Sequence, residues 1–305
     1  MDIPAELLHS PPRSTLQWVE RQFGLGARVT TVRRLPNAWA AAVHGVDVED
    51  GRGCLHETVL RRWTRTDLPA DDRVVENEAA TLAMLASIEE VHAPTLIAAD
   101  PFGVETDVPA LLMTRVQGRD ELMPPDVNAF LDGLAATLHS IHSIEVEPED
   151  LPRYEPWVLT ELTVAPPWAR RRSVWWRAVE HARRPVPAHR PVLCHRDFHP
   201  GNVLWRHGAV SGVVDWTHAC AGPAAADVAH CRLNLAVLFG MDVADEFAYR
   251  YGHVEHLAWF DAVDVAGCGD LPLWRWHDAG RTDLTEDTIG ERLDAFVRSA
   301  VERLG

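Results

Sequence analysis

The segment that most constrains this chain is residues 191–216, PVLCHRDFHPGNVLWRHGAVSGVVDW. Its apolar residues predict three short strands, over 192–194, 203–205 and 213–214. Asp197 follows the first of these strands and Asp215 follows the last. Asp197 and Asn202 are five positions apart across a turn that contains proline and glycine. Such a turn can direct both side chains at one point.

Three oxygen-bearing side chains in this order suit phosphoryl transfer. Asp197 is predicted to be the catalytic residue that accepts, or only positions, the hydroxyl proton of a substrate. Asn202 and Asp215 are predicted to bind Mg²⁺, because hard cations prefer oxygen ligands. The alternative is a polar β-hairpin in which the aspartate and asparagine only cap turns.

The order His, Arg, Asp, four residues, Asn resembles the catalytic loop of protein kinases, and Asp215 then takes the place of their metal-binding aspartate. Two details differ from protein kinases. Asp215 is followed by Trp216 and Thr217, and the loop carries His-Pro-Gly immediately before Asn202. With these departures the segment resembles the aminoglycoside phosphotransferase family, whose kinase-like enzymes phosphorylate small molecules.

The resemblance implies an α+β, bilobal protein-kinase-like fold, with an antiparallel-sheet N-terminal lobe and a mainly helical C-terminal lobe. The 305 residues of the chain are enough for two lobes that each bury a core. We expect a nucleotide-binding lobe over 1–116, a hinge at about 113–118 and a catalytic and substrate-binding lobe over 117–305.

Residue patterns in the N-terminal part predict a helix over 15–23 and strands over 27–34, 40–47 and 54–63. In kinases, the turn between the first two strands is rich in glycine and covers the phosphates. Residues 35–39 of this chain contain no glycine, so Asn37 is the candidate for a contact with the nucleotide there. An ordinary turn without a ligand contact is the alternative.

The cation expected on the third strand must be an arginine, because the chain contains no lysine. Arg61 and Arg62 are the candidates. Strand alternation pairs Val59 with Arg61 and Leu60 with Arg62, so apolarity alone does not choose between them. The resemblance aligns Val59, Leu60 and Arg61 with the kinase Ala-Ile-Lys. It therefore implies that Arg61 binds the nucleotide phosphates and that Val59 covers the purine.

Further nucleotide contacts are implied by the resemblance. A helix is predicted over 71–87, and Glu78 on it matches the kinase glutamate that orients the phosphate-binding cation. A surface glutamate facing solvent is the alternative. Residues from Met113 to Val116 match the link between the lobes, whose backbone hydrogen-bonds the purine. The sequence leaves adenine and guanine open, so the nucleotide is ATP or GTP.

Other histidines and acids of the second half have roles that the sequence leaves open. His199 occupies the place of a kinase lysine near the γ-phosphate, and packing within the loop is its alternative role. His195 is expected to hold the loop by hydrogen bonds. Asp227 resembles a family aspartate that supports the catalytic loop from the start of a helix. His139 and His142 are predicted to lie on a helix surface.

The second half is predicted to be mainly helical, over 126–143, 168–182, 224–240, 242–259 and 285–304. The resembled family forms much of its acceptor pocket from this region. The available carboxylates are Asp242, Asp245, Glu246, Asp261 and Asp264. Spacing selects none of them, and a solvated face is the expectation for each.

The charge of the chain restricts its partners. The chain has 45 acidic and 29 basic residues, a formal net charge of −16, which repels nucleic acid and anionic membranes. A cationic substrate is therefore favoured, while a purely solubilising role of the acidity is the alternative. We predict no nucleic acid and no membrane partner, and a monomer or homodimer.

The cysteines and the N-terminus predict a cytoplasmic protein. Five scattered cysteines fit reduced thiols better than a disulfide framework. The N-terminus has acids where a signal peptide has bases, and no apolar run of about 18 residues occurs. The cysteine and histidine spacings near Cys194 are too irregular for structural zinc.

We therefore predict a nucleotide-dependent O-phosphotransferase, an enzyme that moves the γ-phosphate of ATP or GTP to a hydroxyl of a small, aminoglycoside-like molecule. Two other functions are considered. A catalytically weak nucleotide-binding regulatory protein is suggested by the absence of lysine and of the glycine-rich turn. A metal-dependent hydrolase using Asp197 and Asp215 lacks the histidine spacing usual in such sites.

Overall fold

The structure is a computed structural model that describes residues 7, 9–35, 41–63, 73–147, 149–156, 165–268 and 273–305. Asn37, the candidate nucleotide contact of the first turn, lies outside these ranges. The chain divides into two compact units. The first consists of Met1–Gln117 and Gly212–Thr217, and the second of Gly118–Ser211 and His218–Gly305.

The first unit is built on a five-stranded antiparallel sheet with the strand order β1-β2-β3-β5-β4. Its strands are β1 (Arg28–Arg34), β2 (Ala42–Glu49), β3 (Leu55–Arg62), β4 (Leu96–Asp100) and β5 (Ala110–Thr114). In the part of this unit that the structure describes, the longer helices are α1 (Arg13–Arg21) and α2 (Val74–Leu85). Alternation along β3 divides its side chains between the two faces of the sheet.

Helix α1 covers one face of this sheet. Trp18 and Val19 of α1 are fully buried with Val46 and Leu60, which belong to the neighbouring strands β2 and β3. Leu60 and Arg62 therefore share the face that α1 covers, and Val59 and Arg61 point to the opposite face.

Arg62 forms hydrogen bonds that connect the face of the sheet covered by α1 to the N-terminal segment. Its Nη1 donates to Asp107 at 2.7 Å, and its Nη2 donates to the carbonyls of Leu7 at 2.8 Å and His9 at 3.2 Å. The Arg62 side chain is almost fully buried, and all three of these acceptors belong to the first unit. Arg62 is thus a structural residue, which leaves Arg61 as the arginine of the other face.

Replacing Arg62 by methionine is expected to lower the free energy of unfolding by about 2 kcal/mol, because Asp107 and two carbonyls lose a charged donor. Denaturation in urea measures this change. The matched control is Arg34→Met on the exposed edge strand, which should shift the unfolding free energy by less than about 0.5 kcal/mol. Equal effects of the two substitutions would contradict the structural role of Arg62.

The second unit is mainly helical. Its helices are α3 (Val127–His142), α4 (Arg172–Ala182), α5 (Ala224–Phe239), α6 (Met241–Tyr251), α7 (Leu257–Ala266), α8 (Leu273–Asp278) and α9 (Glu286–Leu304). Short strands accompany them: β6 (Arg119–Asp120), β7 (Val192–Cys194), β8 (Val203–Arg206), β9 (Ala209–Val213) and β10 (Cys220–Gly222). Strand β9 continues through the boundary between Ser211 and Gly212.

One predicted helix was wrong. Residues 242–259 form parts of two helices, α6 and α7, rather than one. The interruption begins at Gly252, whose φ of 96° lies in the left-handed region and ends α6. His256 adopts φ 60° immediately before α7 begins. The chain therefore changes direction in a stretch whose apolar spacing is helical.

The core of the second unit lies where α5 and α7 meet the β7–β10 pair. Ala225 and Ala229 of α5 are buried with Cys194 of β7 and with Trp259 and Phe260 of α7. Alanines let α5 approach β7 closely, and this positions the loop that follows β7. Within the described ranges, no helix has the length and apolarity needed to cross a bilayer.

Candidate active site

Arg61 of β3 forms the centre of an ion cluster in the first unit. Its Nη1 donates to both carboxylate oxygens of Glu78, at 2.6 and 2.8 Å, and its Nη2 donates to Asp215 Oδ1 at 2.8 Å. The Glu78 side chain is 1% exposed, so the surface alternative for this residue is wrong. Asp215 is 35% exposed and is the part of the cluster that solvent reaches.

The backbone after β9 holds Asp215 against Arg61. Asp215 has φ 66°, a left-handed conformation that aspartate tolerates better than most residues. The next peptide N–H, of Trp216, donates to Glu78 at 3.2 Å, and the buried indole of Trp216 donates to the Val213 carbonyl at 2.9 Å. The Thr217 hydroxyl donates to Asp215 Oδ1 at 2.6 Å. The turn is therefore locked to helix α2 as well as to β3.

The cluster has an excess of negative charge. Burial lowers the pKa of Arg61, but the attraction of Asp215 and Glu78 outweighs it and raises this pKa above its ordinary value. Burial raises the pKa of the Glu78 carboxyl to about 7, against the attraction of Arg61. One guanidinium faces two carboxyl groups, so the set has a net charge of −1 above about pH 7, where Glu78 is ionised, and is neutral below it. Such a set favours a further cation at the exposed oxygen-bearing side chain, Asp215.

Val59 and Met113 lie on the same face of the sheet as Arg61. Val59 is directly opposite Met113 in the β3–β5 pairing, and Arg61 is opposite Leu111 two positions further along. Opposed residues of an antiparallel pair share a face, so these side chains form a continuous apolar surface beside the guanidinium. Val116 lies beyond the end of β5 and is half-buried.

The second unit contains Asp197, in the loop that follows β7. Asp197 Oδ2 accepts a hydrogen bond from Asn202 Nδ2 at 3.0 Å, and the same amide donates to the Asp197 carbonyl at 2.9 Å. A short 3₁₀ helix, Pro200–Asn202, brings the two residues together. The two hydrogen bonds occupy the amide nitrogen of Asn202. Its carbonyl oxygen is therefore the end suited to bind a cation.

Asp227 anchors this loop from the first turn of α5. Its two oxygens accept the backbone N–H groups of His195 and Arg196, each at 2.7 Å. Arg196 has φ 75°, which is strained for a residue with a long side chain, and the two hydrogen bonds hold it in this conformation. Burial would raise the pKa of Asp227, but His142 and the loop N–H of His195 lower it. Asp227 thus fixes the backbone of the loop that contains Asp197.

His199 is used within the loop. Its Nδ1 accepts the backbone N–H of Gly201 at 3.0 Å, which caps the 3₁₀ helix. Its Nε2 is 3.8 Å from Asp197 Oδ1. His199 therefore packs within the loop, and its second ring nitrogen lies near the Asp197 carboxylate.

Sequence reasoning missed two residues of this cluster. His230 of α5 lies 3.0 Å from Asp197, and Asp264 of α7 lies 3.2 Å from the other nitrogen of His230. The Asp264 side chain is only 6% exposed, so the expected solvated face is wrong for this residue. The available signal was a row of polar residues on the apolar helix α5, Asp227, His230 and Asn234, spaced by three and four.

His142 also differs from its predicted surface position. Its side chain is 5% exposed, and it contacts Asp227 at 3.0 Å and the Tyr251 hydroxyl at 2.7 Å. The possible ligand atoms of His142, Cys194 and Asp227 lie close enough together to hold a metal ion. Both Asp227 oxygens already accept hydrogen bonds from the loop, which explains the cluster as a support for that loop.

The charges around Asp197 are paired. Burial would raise the pKa of the Asp197 carboxyl, but His199, His230 and His195 together lower it below its ordinary value. Burial likewise lowers the pKa of His230, but Asp264 and Asp197 outweigh this and raise it to about 10. An ionised Asp197 beside a charged His230 is therefore the state near neutral pH.

The stability of the protein is expected to fall between pH 7 and pH 10. His230 has an ordinary pKa of 6.5 and a folded-state pKa of about 10. Its charge therefore stabilises the fold fully below pH 6.5, and this contribution disappears as the pH rises through about 10. The groups that face its ring are Asp197, Asp264 and His199.

Urea denaturation of the wild type and of His230→Gln at pH 7, 8.5 and 10 measures this effect. The wild type should lose a few kcal/mol of unfolding free energy more than the variant over this range. The same pH slope in both proteins would show that His230 does not titrate in this way.

Each unit contains one of the two predicted Mg²⁺ ligands. Asn202 of the second unit has a carbonyl oxygen that its own hydrogen bonds leave available, and Asp215 of the first unit has a partly exposed carboxylate. Hard cations such as Mg²⁺ take oxygen ligands of this kind.

Comparison with known proteins identifies a family for this chain. The family model described as "Phosphotransferase enzyme family" matches residues 31–264. No curated protein matches the chain.

Solved structures resemble the fold over nearly the whole chain. A thermostable mutant of the aminoglycoside phosphotransferase APH(4)-Ia, in a ternary complex with AMP-PNP and hygromycin B, is 18% identical, covers 94% of this chain and 99% of its own, and has a TM-score of 0.64. The GDP and kanamycin complex of APH(2″)-IIIa is 16% identical, with coverages of 96% and 98% and a TM-score of 0.61. A putative aminoglycoside phosphotransferase from Ralstonia eutropha is 14% identical, with the same coverages and TM-score.

These matches confirm the predicted α+β, kinase-like fold and the resemblance to aminoglycoside phosphotransferases. The family match spans more than half of the chain and includes β3, α2 and the loop of Asp197. The chain belongs to the phosphotransferase enzyme family, and it is a phosphotransferase of kinase-like fold whose acceptor is an alcohol group.

Proposed function

We propose that the protein transfers the γ-phosphate of ATP or GTP to a hydroxyl of a small, cationic, polyhydroxylated molecule. The observation that carries this proposal is the state of Asp197, a carboxylate held by Asn202 on one oxygen and by His230 on the other. A carboxylate fixed in this way can accept a hydrogen bond from an incoming hydroxyl and hold the hydroxyl oxygen for attack on phosphorus.

Arg61 is proposed to bind the phosphates of the nucleotide. Glu78 and Asp215 hold its guanidinium in one orientation, so little side-chain freedom is lost when a phosphate binds. Val59 and Met113 beside it supply an apolar surface for the purine, and the backbone at Val116 is proposed to hydrogen-bond the purine edge.

Asn202 and Asp215 are proposed as the Mg²⁺ ligands. A bound Mg²⁺ supplies charge neutralisation at the phosphate oxygens. The roles of the chain itself are separate from this: Asp197 orients the acceptor hydroxyl, and Asp227 keeps the loop in the conformation that places Asp197.

The acceptor class is proposed from charge and from the relatives. A net charge of −16 attracts cations, and the solved structures of two relatives hold hygromycin B and kanamycin. An amine-bearing compound with several hydroxyls satisfies both observations.

The test is nucleotide turnover by the purified protein with ATP or GTP, Mg²⁺ and a panel of kanamycin, hygromycin B, a macrolide and choline. Release of ADP or GDP that depends on one of these acceptors, with a phosphorylated product seen by mass spectrometry, supports the proposal. Tight nucleotide binding without turnover on any acceptor would instead favour a nucleotide-binding regulatory protein.

A further inference from the structure

His230 lies between two carboxylates of different elements. Its Nε2 is 3.0 Å from Asp197 Oδ1, and its Nδ1 is 3.2 Å from Asp264 Oδ2. The His230 and Asp264 side chains are largely buried, so these contacts are made with little competition from water. The arrangement is a continuous row of carboxylate, imidazole and carboxylate that ends at the catalytic loop.

The geometry fixes the protonation of the imidazole. An ionised carboxylate only accepts hydrogen bonds, so a ring nitrogen that contacts one must carry a hydrogen. Both ring nitrogens of His230 contact a carboxylate, and both must therefore donate. The ring is an imidazolium, and each of its hydrogen bonds is charge-assisted.

Asn234 offers a competing arrangement. Its Nδ2 lies 3.3 Å from His230 Nε2, a contact in which Nε2 would have to accept. The contact with Asp197 is shorter and its acceptor is charged. The amide of Asn234 also donates to the His230 carbonyl at 3.0 Å, so it is satisfied without the ring. The arrangement in which Nε2 donates to Asp197 is favoured.

Helix α5 consequently holds the catalytic loop at two points. Asp227 in its first turn accepts the loop N–H groups of His195 and Arg196, and His230 one turn later donates to the Asp197 side chain. The first contact sets the backbone of the loop. The second sets the carboxylate plane, because Asn202 already holds the other oxygen.

We propose that His230, held as an imidazolium by Asp264, is a positioning residue that fixes the carboxylate of Asp197 for the acceptor hydroxyl. The inference rests on the proposed function, in which Asp197 faces that hydroxyl. Loss of the His230 contact frees one oxygen of Asp197 and lets the carboxylate rotate. Misplacement of a reacting group by about 1 Å lowers turnover by about 10²-fold.

Steady-state kinetics with ATP or GTP, Mg²⁺ and kanamycin or hygromycin B test the inference. His230→Gln should lower kcat by about 10- to 100-fold with the KM of the nucleotide changed less than about twofold. Asp264→Asn, which keeps the volume and removes the charge, should lower kcat by a smaller factor in the same direction. The matched control is His253→Gln, an exposed histidine of the same unit, which should keep the wild-type kcat.

A second measurement does not depend on turnover. The ¹⁵N shifts of the His230 ring at pH 7.5 should show hydrogens on both nitrogens in the wild type, because each ring nitrogen contacts a carboxylate. A neutral ring, or a His230→Gln variant with wild-type kcat, would overturn the inference. If turnover is retained in His230→Gln but lost in Asp197→Asn, the inference fails and the proposed function stands. If the wild type has no turnover, the proposed function fails and the ring shifts still decide the state of His230.

Discussion

Asp197→Asn should lower kcat by about 10²- to 10⁴-fold while the affinity for nucleotide stays within about twofold of the wild type. The substitution keeps the shape of the side chain, but its single acceptor oxygen can keep the hydrogen bond from Asn202 or the one from His230, not both. It removes the negative charge that accepts the hydroxyl hydrogen. The loss should therefore fall on turnover and not on binding.

The measurement is kcat and KM for nucleotide at a fixed acceptor concentration, with the dissociation constant of the nucleotide measured separately by calorimetry. Asp132→Asn is the matched control, because Asp132 is an exposed aspartate of α3 in the same unit. Turnover in Asp197→Asn within tenfold of the wild type would remove Asp197 from the reaction. An equal loss in the control would show that a general effect of lost charge is responsible.

Glu78→Ala is expected to lower the free energy of unfolding by about 3 kcal/mol, because the buried Arg61 loses both hydrogen bonds to the Glu78 carboxylate. The Trp216 N–H loses its acceptor as well. Nucleotide affinity should fall at least about tenfold, since the guanidinium is then free to turn toward Asp215 alone. Urea denaturation and calorimetry measure the two effects.

A double variant separates stability from function. Arg61→Met with Glu78→Leu replaces the buried pair by apolar side chains and should recover most of the lost unfolding free energy. Nucleotide affinity should stay low, because no cation remains at this position of β3. Glu76→Ala is the control on the same helix, where a partly exposed ion pair with Arg73 is worth less than about 1 kcal/mol. Normal nucleotide affinity in the double variant would mean that Arg61 serves the fold only.

The contact between Asp197 and Asn202 was the most predictable part of the candidate site. Asp197 and Asn202 lie on one short turn, so their contact depends on residues that are neighbours in the chain. The strands β1, β2 and β3 were also predicted close to their observed bounds, since alternation and turn residues are local signals. Residue spacing failed at α6 and α7, where Gly252 breaks a pattern that is otherwise helical.

Burial explains most of what the sequence left open. The sequence allowed Glu78 to be either buried beside Arg61 or exposed to solvent. In the structure Glu78 is buried in a cluster with Arg61, which also binds Asp215, 137 positions later in the chain than Glu78. His230 and Asp264 are separated by 34 residues and lie on different helices. No periodicity in either helix predicts which side chain of the other it will meet.

The sequence by itself determined the family resemblance and the candidate catalytic loop, because both depend on residues that are neighbours in the chain. The resemblance favoured Arg61 over Arg62, and the tertiary structure supplied the physical difference between the two arginines. Alternation places them on opposite faces of β3, and a face becomes structural or functional only through what covers it. Helix α1 and the N-terminal carbonyls cover the face of Arg62, while Glu78 and Asp215 orient Arg61 on the other face. Those partners come from distant parts of the chain, and folding has to bring them together.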